Sequence, residues 1–303
     1  MSPNTGAPAG QHASPLAIWS ALAAVYVIWG STYLAIRFTV ETIPPFLSAA
    51  ARFIISGGFV YLWRRLAGDP RPTRVEWRNA SIVGMFLLVG GNGGVVWAVQ
   101  FIPSSLAALL VATVPLWMIL FDALRHGDRP GRTALVGILI GFCGVVLLVG
   151  WTANQARVEH LHGTIAVLAA SCFWAIGSIY GKTAKLPESS LITTGIEMLV
   201  GGAGQLLVAI GFGEIATFDA AAVSSRSTLA WIYLTIVGPA AFFAYAWLLR
   251  VAPIPLVATY SYVNPLVAIL LGYFLGNETL TPRILLAAGL IIGSVVLVSA
   301  SRR

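Results

Sequence analysis

Apolar runs of about twenty residues, divided by short polar loops, recur along the whole chain. A transmembrane helix needs roughly 20 mostly apolar residues. Such stretches fall at about 16–37, 46–63, 79–99, 104–122, 133–151, 163–181, 189–212, 228–248, 255–275 and 283–300. The pattern predicts an all-α membrane protein with ten transmembrane helices and almost no soluble mass. No room is left for an extramembrane catalytic domain. Residues 1–15, "MSPNTGAPAGQHASP", read as a disordered tail rich in Ala, Pro and Gly. No basic segment precedes the first span and no cleavage site follows it, so that span reads as an anchor.

Composition supports lipid as the solvent. The 303 residues are 58% hydrophobic and only 10% charged, where a soluble domain carries about 25% charged residues. The mean hydropathy is +0.85. The net charge of +7 does not call for nucleic acid, because the basic residues cluster in loops of one phase. With the N-terminus in the cytoplasm, inward loops hold Arg64, Arg65, Arg71, Arg74, Arg78, Arg125, Arg129, Arg132, Lys182, Lys185, Arg250, Arg302 and Arg303. The outward side holds Arg37, Arg157, Arg226 and Arg283. Cytoplasmic loops carry the Lys/Arg excess, so both termini are expected inside. Cys143 and Cys172 both fall within spans, which argues against a disulfide framework.

The phase of the basic loops reverses between the two halves. They follow the second and fourth spans of the first five, then the first, third and fifth of the second five. Two five-helix halves of opposite phase lie upside down relative to each other. Local similarity supports a duplication: "GILIG" (137–141) matches "GLIIG" (289–293), and Gly30-Ser31 superposes on Gly177-Ser178. "SSLAALLVATVPL" (104–116) aligns without gaps with "IPLVATYSYVNPL" (254–266), which sets Pro115 on Pro265. The expected units are therefore 16–151 and 152–303. Inverted repeats with a site near the midplane recur in secondary transporters.

Polar and helix-breaking residues inside the spans mark the candidate path. Proline within a helix frees the carbonyl four residues back: Val111 for Pro115 and Ser261 for Pro265. In lipid such a group must face protein or a wet cavity. "GGNGG" (90–94) lies mid-span, and "VGPAA" (237–241), with Pro239, at the corresponding place in the other half. Pro115, Pro239 and Pro265 are thus expected helix breaks. Candidate substrate-binding groups are Trp29, Ser31, Tyr33, Asn92, Trp97, Gln100, Trp174, Ser178, Tyr180, Tyr245, Tyr260, Tyr262 and Asn264. Taken singly, most of the aromatics suit core packing or an interfacial belt equally well. As a group they suit an apolar cavity with a few hydrogen-bonding groups. Arg52 and Glu197 occupy equivalent positions with opposite sign. They are expected to pair across the pseudo-two-fold axis, or Glu197 to carry a proton. The two GxxxG motifs allow close helix approach, within the chain or in a homodimer through the fifth or tenth span.

Other chemistries are disfavoured. "GSIYGKT" (177–183) has one residue too few between its glycines for a phosphate-binding loop and ends a membrane span with no preceding strand. The spans hold no histidine for a metal or acid–base site, and "HLH" (160–162) is expected in a solvated loop. No cofactor, no metal and no catalytic constellation is expected.

"VYVIWGSTYLAIRFTVETIPP" (25–45), "GNGGVVWAVQFIPSSLAALLVATVPLWM" (91–118) and "ATYSYVNPLVAILLGYFLGNETL" (258–280) closely resemble EamA-type permeases of the drug/metabolite transporter superfamily. The likeness covers nearly the whole chain after the tail. It implies ten helices in two inverted five-helix repeats, a bacterial inner-membrane location and export of amino acids or related metabolites. It also implies a cavity built from spans 1, 3, 4, 6, 8 and 9. "GNET" (276–279) departs from the Gly-Glu pattern of the family. Phosphorylated cargo would need several cations in the pore. The expected function is therefore export of small neutral or zwitterionic metabolites, aromatic amino acids included, by alternating access. The alternatives are a proton-coupled multidrug exporter of the same fold, a membrane receptor that does not transport, and an intramembrane enzyme.

Overall fold

The computed structural model describes residues 14–126, 131–154, 158–252, 254–257 and 259–300. Most of the expected tail, residues 1–13, lies outside them, as does the side chain of Tyr262. Every regular element among the described residues is helical. In chain order they are α1 (Pro15–Thr39), α2 (Pro45–Leu66), α3 (Arg74–Ala98), α4 (Ser104–Val111), α5 (Val114–His126), α6 (Arg132–Asn154), α7 (Val158–Thr183), α8 (Ser190–Gly211), α9 (Glu214–Thr217), α10 (Ser225–Val251), α11 (Ile254–Val257), α12 (Tyr260–Gly276) and α13 (Pro282–Ala300). A single 3-10 turn lies at Ala220–Ala222.

Among the described residues, seven stretches are long and apolar enough to cross a membrane: Pro15–Thr39, Pro45–Leu66, Arg74–Ala98, Ser104–Phe121, His160–Thr183, Ser190–Gly211 and Ser225–Tyr245. Three shorter apolar helices lie at Leu135–Leu147, Val263–Gly276 and Pro282–Leu297. Their outward faces are oily. Leu16 is 78% exposed, and Leu207 and Phe274 are each 70% exposed. Apolar surface of that extent belongs in lipid.

Local sequence explains the ends. Pro15 and Pro45 start their helices where a missing N–H costs nothing. Thr73 and Glu76 close a capping box at the start of α3. His160 and His162 fall inside α7 and not in a loop. The helix starts earlier than its hydropathy suggests, and Thr164 Oγ1 donates to the His160 carbonyl within it.

Packing pairs like with like. α2 lies along α8, and α6 along α13; α1 sits between α10 and α12, while α7 sits between α3 and α4–α5. Exchanging the first five apolar stretches for the second five leaves this pattern unchanged. Glycine makes the self-paired contacts close. A Cβ on Gly57 would lie 2.6 Å from Met198 Cβ, and one on Gly202 2.9 Å from the Ile54 nitrogen. Of the GxxxG residues, Gly141 on α6 faces Ser294 of α13, whereas Gly289 and Gly293 on α13 meet nothing within 4 Å among the described residues.

Candidate functional site

Two apolar stretches are interrupted. The first breaks between α4 and α5, at Ala112-Thr113. The carbonyl of Leu110 there accepts from the Thr113 N–H (3.1 Å), from Thr113 Oγ1 (2.6 Å) and from Ser171 Oγ of α7 (3.4 Å). Thr113 Oγ1 also receives Trp117 Nε1 at 3.2 Å. Hydroxyls thus take the place of the lost helix bonds. Pro115 stands in the first turn of α5, a position that tolerates proline.

The second break precedes Tyr260. Thr259 Oγ1 donates to the Leu256 carbonyl at 2.5 Å and bonds the Tyr26 hydroxyl of α1. Pro265 does not interrupt anything: it lies inside α12. The expected symmetric pair of proline breaks is therefore corrected. The interruption in each half lies upstream of the proline, at a threonine able to bond back to the chain. Pro239 also sits inside an unbroken helix, α10. The carbonyl it frees, that of Thr235, accepts Ser56 Oγ of α2 at 2.7 Å, so the neighbouring helix repairs the gap.

Beside the second break the expected aromatics converge. Trp29 of α1 is ringed by Phe242 (5.1 Å), Tyr245 (5.2 Å) and Tyr260 (5.1 Å), and Tyr245 meets Tyr260 edge-on. Two turns of α1 contribute further. Ser31 Oγ lies 2.6 Å from the Tyr233 hydroxyl, and Tyr33 packs on the main core. A Cβ on Gly30 would stand 2.6 Å from Val267 Cβ and 3.1 Å from the Asn264 carbonyl, so only glycine lets α12 approach here. Asn264 is buried at 7% exposure, and its Oδ1 has no partner among the described residues. This aromatic group, held by α1, α10 and the start of α12, is the candidate site.

A second polar group lies on α3. Residues Met85–Asn92 form a π-helical segment within it. π segments recur at functional sites. Gln205 of α8, fully buried, donates Nε2 to the Leu88 carbonyl at 2.5 Å. Asn92 accepts Arg52 Nη2 at 2.7 Å. Among the described residues Arg52 pairs with no carboxylate; its guanidinium instead lies over the Phe53 ring at 4.4 Å. The expected pairing with Glu197 does not form. Glu197 lies against α3 at Gly84, whose added Cβ would stand 2.6 Å from the Glu197 carbonyl, while Arg52 reaches Asn92, two turns further along α3.

Of the other expected site residues, Trp97, Gln100 and Tyr180 lie apart from both groups. Trp97 stacks edge-on against Phe101. Gln100 is exposed beyond the end of α3 and bonds only the Trp97 carbonyl. Ser178 bonds back to Trp174 within α7, and Trp174 packs beside Gly91 of the π segment. The Tyr180 hydroxyl donates to Asn79 near the loop at 184–189.

Sequence reasoning missed the clasps at the helix ends. Glu278 accepts from the N–H and Oγ of Ser104, at 2.6 and 2.7 Å, and from the N–H of Ser105 at 3.0 Å and its Oγ. One carboxylate thus caps α4 from beyond the end of α12. Glu214 accepts from the N–H groups of Phe46 and Leu47 at the start of α2. Burial raises its pKa above the ordinary carboxylate value, against the opposing pull of those two N–H groups. Arg37 donates to the carbonyls of Val99 and Ile102. A carboxylate just past one helix and a hydroxyl opening another were the available signals.

The model of the EamA-like transporter family matches residues 16–150 and again residues 161–300. The uncharacterized inner membrane transporter YedA of Escherichia coli is 38% identical, over 95% of this chain and 92% of its own. PagO of Salmonella typhimurium is 25% identical over 89% and 88% of the two chains. A chloroplastic WAT1-related protein of Arabidopsis thaliana is 22% identical over 93% and 69%. A solved crystal structure superposes with a TM-score of 0.64 at 24% identity, covering 95% of this chain and 98% of the other.

Proposed function

Because this chain belongs to the EamA-like transporter family, we propose that it exports small neutral or zwitterionic metabolites, amino acids with aromatic side chains among them, across the bacterial inner membrane. The seven long apolar stretches and the three shorter apolar helices are taken together as ten spans. With both termini cytoplasmic, as the loop arginines favour, the two halves are inverted. Residues 40–44, 99–103, 213–224 and 277–281 then face outward, and 67–73 and 184–189 face inward. The observation that carries the substrate class is the Trp29–Phe242–Tyr245–Tyr260 group beside an interrupted helix. Aromatic faces with hydroxyl tips suit apolar side chains and amino groups.

Movement is by alternating access down the substrate gradient. Purified protein in liposomes should take up labelled phenylalanine, with competition by other neutral amino acids. Competition only from phosphorylated or strongly charged compounds would sink the substrate class, and saturable binding without flux would sink transport. Glu197→Gln should leave uptake unchanged with or without a pH gradient; loss of a gradient-driven component in this variant would assign proton coupling to Glu197.

A further inference from the structure

Arg52 is 6% exposed in the middle of α2. A guanidinium stays charged in proteins, and a charge within a membrane-spanning segment is costly unless it is paired. Among the described residues no carboxylate pairs with it. Nη2 donates to the neutral amide of Asn92 at 2.7 Å, the plane lies over Phe53, and buried Nε has no partner among the described residues. A second orphan sits on the adjoining helix. Gln205 is fully buried, its Nε2 is engaged at the Leu88 carbonyl, and its Oε1 is unpartnered among the described residues. Gly93 ties the two together: it follows Asn92, and a Cβ there would stand 3.7 Å from Gln205 Nε2. Asn92 and Leu88 both belong to the π segment.

We propose that Arg52 and Asn92 form a binding subsite for a single carboxylate group, the carboxylate of the transported amino acid. The guanidinium supplies the charge and its free Nε–H, the fork geometry that carboxylates match. The unpartnered Gln205 carbonyl oxygen, an acceptor, suits the ammonium group next to that carboxylate. One cation, with no second cation among the described contacts of Arg52, Asn92 and Gln205, fits a monovalent group and not a phosphate. The subsite rests on the transport reading above and adds to it the recognition of the zwitterion's charged end, on a helix other than those bearing the aromatic group.

Two measurements separate the subsite from that reading. In liposomes, phenylalanine should compete for labelled phenylalanine uptake at least about tenfold better than phenylalaninamide, the loss expected for one charge-assisted hydrogen-bond pair. Arg52→Gln should bring that ratio close to one, and Arg52→Lys should keep part of it. A folded Arg52→Gln protein that keeps the wild-type ratio overturns the proposal. In detergent, phenylacetate but not phenylacetamide should raise the melting temperature of the wild type, and Arg52→Gln should abolish the rise. No rise in the wild type overturns the subsite even where the variants fail to fold. An equal rise with chloride alone would assign the charge to a free anion and overturn the substrate carboxylate as its partner. Wild-type vesicles that take up no amino acid, with the phenylacetate rise intact and lost in Arg52→Gln, would sink the transport reading alone and support the anion subsite.

Discussion

The two ends of the bundle are fastened by different means. At the end proposed to face outward, Glu278 and Glu214 each reach from beyond one helix to the N-terminus of another, and each joins the two halves. Arg37 and the Glu41–Arg226 pair add to that end. At the other end, Asp69 pairs mostly with its own neighbour Arg64. Among the described residues the cross-link there is the Asn79 amide, which donates to the Lys185 carbonyl and accepts from Tyr180. Helix N-termini carry partial positive charge and unsatisfied N–H groups, so a carboxylate there holds more strongly than an amide on a loop carbonyl. The end proposed to face outward is the more firmly fastened among the described residues, and alternating access as proposed calls for Glu278 to release α4.

Glu278→Ala is the harshest way to break this contrast. It leaves the N–H groups and hydroxyls of buried Ser104 and Ser105 without their acceptor, a loss of about 3 kcal/mol. Thermal melting in detergent should show it clearly, and a melting temperature equal to wild type would refute the clasp. Asn79→Ala removes the two neutral hydrogen bonds to Lys185 and Tyr180 at the opposite end, together with the long contacts from its neighbour Arg78 to the same amide oxygen (3.3 and 3.4 Å), and should cost about 1–2 kcal/mol. A loss as large as that of Glu278→Ala would erase the asymmetry. The smallest effect is in pH dependence. Asp69 is held below the ordinary carboxylate value by its hydrogen bond from Arg64, with Ser189 adding to it. Its stabilisation is present above that ordinary value and is lost as pH falls through the lowered one. Glu214 is shifted upward by burial, so the folded state binds its proton more firmly, and stability falls as pH rises from the ordinary value to the raised one. Melting followed from pH 3 to 7 should flatten on the acid side in Asp69→Asn and lose its decline with rising pH in Glu214→Gln. Identical profiles in both variants would remove this distinction between the ends.

The helical fold and its duplicated pattern were legible because hydropathy and glycine spacing report burial directly. α6 packs on α13, the two stretches that carry the GxxxG motifs. The prolines misled, because proline removes a bond but does not decide whether a neighbour replaces it. Ser56 does so at Pro239, and the true interruptions formed at Thr113 and Thr259. Trp29, Tyr245 and Tyr260 were found together because aromatic spacing within spans survives folding. Gln100 and Tyr180 stand away from the aromatic group because a few residues at a helix end carry a side chain from mid-span to the end of the bundle. Glu278, Glu214 and Gln205 act on helices far away in the chain, and no local pattern encodes such partners.

The π segment in α3 gives that helix a spare residue. Were Met85–Asn92 to tighten into α-helix, everything from Gly93 to Ala98 would turn by about 100° and shift by about 1.5 Å. Trp97 and the carbonyl of Val99, the latter gripped by Arg37, would be carried round with it. The spare residue thus sets the size of the step by which one end of α3 would turn against the other.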